Sequence, residues 1–212
     1  MGGRRGRALL AILVVGVLAT VSACGEDEGG SEEAARPAGA FPDWPAPDNP
    51  MELTVDAGLT PEVNEHLRIH RHSHLDVIVD GEAVTVPAGI GIDITDPGVK
   101  HFPDPAYGGI KECTEPCISP LHTHDESGII HTESEDETLL TLGEMFTEWG
   151  VRLDDECVGE FCTSDTDIAF YIGRDEYDGD PAEIELEDQR EIAIIIGTPP
   201  DRIPDRADFS QA

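Results

Sequence analysis

Apolar and polar residues alternate with a period of two over Leu75, Val77 and Val79, with Asp76 and Ile78 between them. Asp80-Gly81 follows, and Val84 and Val86 then alternate with Ala83 and Thr85. Asp-Gly favours a two-residue turn in which both central residues take positive φ, so the pattern predicts a hairpin. Such a turn sets Val77 opposite Val84 and Leu75 opposite Val86, which leaves one face wholly apolar and the register self-consistent. A second hairpin is predicted to join residues 121–124 to residues 129–133 across Asp125, Glu126, Ser127 and Gly128. The period then lengthens to that of a helix. Thr141 and Glu144 fit a capping box, Leu142, Met145, Phe146 and Trp149 fall at i, i+3, i+4 and i+7, and Gly150 supplies the stop. Ile168–Ile172 and Glu191–Ile196 read as strands, the second apolar on both faces as an interior strand is. The predicted class is α+β and β-rich, with hairpins plus one short helix packed on a mixed sheet.

The order of elements resembles a β-grasp arrangement in its second half. Residues 169–197, with Leu186-Glu187-Asp188 before a closing apolar strand, look like the end of a ubiquitin-like sulfur-carrier domain. Carriers of that kind end in a free Gly-Gly, whereas this chain runs on past Gly197 through Thr198, Pro199 and Pro200. The resemblance therefore implies fold alone and no carrier activity.

The amino end has the form of an export signal. Arg4, Arg5 and Arg7 precede an apolar run from residue 8 to residue 23, which falls short of the ~20 apolar residues of a spanning helix. The run closes on Val21-Ser22-Ala23-Cys24, which resembles the lipobox of bacterial lipoproteins, with Val21 where Leu is commoner. The resemblance implies cleavage before Cys24, a diacylglycerol (palmitate-type) anchor on its thiol, and a place on the outer face of the cytoplasmic membrane. The expected organisation is a signal peptide over 1–23 and an acidic Gly/Pro-rich tether over 24–50 that includes Trp44. A single globular domain over 51–197 and a Pro-rich tail over 198–212 complete it.

Charge narrows the partners. Arg4, Arg5 and Arg7 leave with the leader, so ten of the 13 Lys and Arg face 45 Asp and Glu and the mature charge is −35. Nucleic acid and anionic lipid are excluded as partners on that ground, and membrane contact is expected through the acyl anchor alone. With Cys24 lipidated, four cysteines remain. In an exported chain their spacing favours two local disulfides, Cys113–Cys117 and Cys157–Cys162. No C-x-x-C occurs, which argues against a four-cysteine zinc site and a thioredoxin-like redox centre.

All eight histidines lie between residues 66 and 131. His70, His72 and His74 lead directly into the first hairpin. At period two they share one face, opposite Leu75, Val77 and Val79, so they are not core residues. His122 and His124 are again two apart, and parity across a two- or four-residue turn brings His131 to their face. Three imidazoles on one face can converge on an ion at ~2.0–2.1 Å, a set similar in spacing to the three-histidine sites of carbonic anhydrases and cupins. Asp125 or Glu133 is positioned to add a ligand or to accept an imidazole N–H.

The expected ion is zinc or copper, held by His122, His124 and His131, then His72 and His74, with His70 adjoining. Blue copper needs a Cys thiolate, which disulfide formation removes. His66 and His101 read as ordinary exposed histidines. The alternatives are an interaction domain with incidental histidines, a pH-responsive cluster, or a zinc enzyme with an open water position. Asp175, Glu176, Asp178 and Asp180 around Gly179 miss the calcium-loop spacing. Ser127 lacks the glycine pattern of a nucleophile elbow.

Overall fold

The alternation at Leu75, Val77 and Val79 forms the second half of an eleven-residue strand, with the three histidines in its first half. The computed structural model describes residues 41–211 apart from 104, 136 and 206. In chain order the elements are α1 (Pro50–Asp56), β1 (Ile69–Val79), β2 (Glu82–Val84), β3 (Lys100–Phe102), β4 (Ala106–Gly108), β5 (Leu121–His122) and β6 (Ile129–Ser134). They continue with α2 (Leu142–Trp149), β7 (Cys157–Val158), β8 (Phe161–Cys162), β9 (Ile168–Ile172), β10 (Asp175–Tyr177) and β11 (Glu191–Ile196). The fold is α+β and strand-rich, with a mixed sheet. The expected signal peptide, the lipobox-like motif and most of the expected tether lie outside the described residues.

The first hairpin forms in the predicted register, with Val77 opposite Val84. Asp80 and Gly81 both adopt positive φ, 51° and 83°, as the turn requires. β11 lies parallel to β1, with Leu75 beside Ile192 and Val79 beside Ile196, and β9 and β10 extend the sheet beyond it. The order β2-β1-β11-β9-β10, with the first and last strands parallel at the centre, is the β-grasp arrangement. It includes the first hairpin as well as the second half of the chain.

The other half of β1 has a different neighbour. β6 pairs antiparallel with Ile69–His74, and β5 pairs with β6. Leu75 N–H donates to Gly128 O on this edge, whereas His74 N–H donates to Arg190 O on the opposite one. β2 and β6 thus follow each other along one edge of β1. The second hairpin is an addition to the β-grasp sheet, joined to it through the histidine-bearing half of β1.

α2 covers the odd-numbered face of β1. Thr141 Oγ1 accepts from Glu144 N–H at 3.3 Å and Glu144 Oε2 accepts from Thr141 N–H at 2.6 Å, completing the capping box. Gly150 ends the helix in the left-handed region. Leu142, Met145, Phe146 and Trp149 pack against Leu75, Val77, Leu121, Ile130, Ile192 and Ile194. Each such burial contributes roughly 1.5–3 kcal/mol. The reverse face holds Ile78, Ala193 and Ile195, with Tyr171 and Ile203 against them, so β11 is apolar on both sides because both sides are covered.

The tether is shorter than the composition implies. Trp44 stands edge-on to Trp149 and Phe161, at centroid distances of 5.7 and 6.3 Å, and its carbonyl accepts from Trp149 Nε1–H at 3.0 Å. Residues 44–50 therefore belong to the packed domain, fixed by one aromatic that a composition-based boundary passes over. Both expected disulfides, Cys113–Cys117 and Cys157–Cys162, are formed. Among the described residues no helix is long and apolar enough to cross a membrane.

Candidate metal centre

β6 is the middle strand of the site. His131 pairs with His72 on β1 and with His122 on β5, so parity brings three imidazoles to the face turned away from α2. Leu121 and Ile130 on the opposite face are locked into the core, and their burial fixes the outward direction of their neighbours. The described residues of 87–119 lie over this edge of the sheet. Thr123 N–H donates to Ile90 O, its carbonyl accepts from Gly89 N–H, and its hydroxyl donates to Pro87 O. A second small core of Ile92, Val99, Ile110 and Ile118, stapled by Cys113–Cys117 and flanked by Tyr107, stiffens this cover.

The cover also sets the tautomers. His122 Nδ1–H donates to Ser119 O at 2.9 Å, and His124 Nδ1–H donates to Tyr107 O at 2.6 Å. Tyr107 N–H in turn donates to His124 O, so the Tyr107 backbone grips His124 at both ends. A neutral imidazole carries one N–H, so both Nε2 atoms present lone pairs. Those two atoms stand 3.2 Å apart. Two nitrogens at ~2.0–2.1 Å from one tetrahedral ion are separated by about 3.3 Å. Without a cation between them, two facing lone pairs at this distance repel.

His131 and Glu133 complete the group. His122, His124, His131 and Glu133 each offer a ligand atom, all within 4.8 Å of one another. The His131 ring lies 5.5 Å from that of His122, nearly parallel to it, and 4.4 Å from that of His124. His122 is 0% exposed, Glu133 5% and His131 7%. His131 Nδ1 and Glu133 Oε2 are buried and find no hydrogen-bond partner among the described residues. Buried polar atoms of that kind are costly unless something occupies the space before them.

Burial, followed by repulsion from His124 and His131, holds His122 far below the usual imidazole range. Burial, then His70, brings His131 down to about 4, and burial, then His131 and His70, does the same to His72. His124 is lowered by burial and by His131. The unprotonated imidazole is the form that ligates. Burial raises Glu133, against the pull of His70, His124 and His72, and burial followed by Glu133 raises Glu65.

A second group joins the first. His70, His72 and His131 also lie within mutual reach, with His70 Nε2 2.9 Å from His72 Nε2 and 3.2 Å from Glu133 Oε1. His74 is in neither group. Its Nε2 lies 2.9 Å from Ser127 O and its Nδ1 3.4 Å from Asp76. Burial pulls its pKa down, but the Asp76 carboxylate outweighs that and the net direction is up. His74 shares the face of His72 yet pairs with Ile129, one step beyond the cluster.

Asp125 caps the turn by accepting from Ser127 N–H and does not enter a ligand group. His66 lies between Glu62 and Glu135, and His101 bonds Ile94 O. Sequence patterning missed Glu65, Ser119 and Tyr107, which sit in irregular segments and act partly through their backbones. The cysteines grouped with Asp96 are closed as a disulfide and offer no thiolate. Comparison with family models, with curated proteins and with solved structures finds no match for this chain.

Proposed function

We propose that this protein binds a divalent transition metal, zinc or copper(II), through His122, His124 and His131, with Glu133 beside them. The carrying observation is the pair of Nε2 lone pairs held 3.2 Å apart by carbonyls that fix both tautomers. Imidazole with carboxylate suits both ions, and with the four cysteines Cys113, Cys117, Cys157 and Cys162 closed in disulfides no soft sulfur set competes. Burial of His122 and His131 favours capture, delivery or sensing of the ion over open turnover. The test is elemental analysis of the purified full-length chain after loading and desalting. Stoichiometric metal is expected, lost in the combined variant His122→Ala, His124→Ala and His131→Ala. A clean chain without metal under any loading overturns the reading.

The same proposal places the domain outside the cytoplasm on a lipid anchor at Cys24. The lipobox-like Val21-Ser22-Ala23-Cys24 and the two disulfides support it. Cys24→Ala is expected to release the protein from membranes and to remove the acyl mass. Unchanged membrane retention with an unmodified thiol overturns it.

A further inference from the structure

We propose that a second ion binds beside the first and that His131 is shared between them. This rests on the metal-binding reading above and extends it. The imidazoles do not form one ligand set: mutual reach within 4.8 Å holds for His122, His124, His131 and Glu133, and separately for His70, His72 and His131. Only His131 belongs to both. The sheet makes it so, because β6 lies between β5 and β1 and His131 is the direct cross-strand neighbour of His122 and of His72. Its ring centroid stands 4.4 Å from that of His124 and 4.5 Å from that of His72, midway between the two pairs.

An imidazole can serve two ions because it has two ring nitrogens. His131 Nδ1 is buried without a hydrogen-bond partner among the described residues, so no carbonyl commits it as a donor, unlike Nδ1 of His122 and His124. When both nitrogens bind, the one ring proton leaves to solvent and the bridging ring carries a negative charge. Glu133, grouped with the inner set, also reaches the outer one, with Oε1 3.2 Å from His70 Nε2 and 3.7 Å from His131 Nδ1. The inner position is the more buried of the two, with His122 fully buried and His124 half-buried. The outer one, at His70 and His72, is partly open, with the His70 side chain 39% exposed. An ion arriving from solvent meets the outer pair first.

Copper(II) titration of the full-length chain tests this. Two ions per chain are expected, with electron paramagnetic resonance intensity well below two spins because the bridge couples them. The variant His70→Ala with His72→Ala is expected to keep one ion at full one-spin intensity, and that retained ion also reports that it has folded. One ion per chain, unchanged in that variant, overturns the second position and leaves the first standing. Two ions with full two-spin intensity overturn the sharing of His131. No bound ion at all overturns both this inference and the function it rests on.

Discussion

The Ser119 hydroxyl donates to the Glu148 carboxylate, and the carbonyl of the same serine accepts the N–H of His122. A residue of the covering segment thus touches the core helix and the histidine cluster at once.

Glu148 is 0% exposed, and burial raises its pKa to about 7 against the Ser119 and Thr54 hydroxyls that lower it. Thr54 Oγ1 lies 3.0 Å from Pro50 O and 2.9 Å from Glu148 Oε2. The Thr54 hydroxyl thus donates between Pro50 O and Glu148 Oε2. The folded pKa stands above the unfolded value, so this stability is fully present below the unfolded pKa of 4.5. It is lost as pH rises through about 7. Glu148→Gln keeps the bonds without the titration. It is expected to gain on the order of 3 kcal/mol over the parent at pH 8.5 relative to pH 4 in urea unfolding. An equal difference at both pH values would refute this.

Zinc at a thousandfold excess over its dissociation constant is expected to add about 4 kcal/mol to stability. Chelation should reverse it, as read from melting temperature. His74→Ala is expected to leave metal content unchanged, since His74 is occupied by Asp76 and Ser127. Loss of the ion in that variant would move His74 into the site.

The two disulfides should differ in effect. Cys113 and Cys117 belong to the small core beside Tyr107, whose carbonyl orients His124. Replacing both with Ser is expected to weaken metal affinity about tenfold or more, as loss of an orienting partner does. Cys157 and Cys162 pair β7 with β8, away from the ligand groups. The matching change there should alter stability and leave affinity as it was. Isothermal titration of the two variants decides between them.

The capping box is a local device. Thr141→Ala removes the acceptor for Glu144 N–H and is expected to cost about 1 kcal/mol in urea unfolding, without change in metal content.

Local signals carried much of the fold and about half of the site. Asp80-Gly81 announces its own turn chemistry, Thr141 to Gly150 announces a helix at both ends, and β-strand parity is enough to set His131 opposite His122. What no short window contains is the register between distant strands. That β6 docks on the first half of β1, making His72 a neighbour of His131, depends on where the core closes. The same limit explains His74, which has the right face but the wrong cross-strand partner. Trp44 sits in a polar, Pro-rich stretch, and its partners Trp149 and Phe161 lie more than a hundred residues away.

In β1, Leu75 and Val77 point into the core while His70 and His72 point away from it. A slip of one residue would drive imidazoles among the isoleucines and turn leucine and valine outward, so the apolar side polices the placement of the polar one. The aim of these two rings is thus inherited from oil-like packing on the other side of the strand. A substitution that loosened that packing would blur the ligand geometry without touching a ligand.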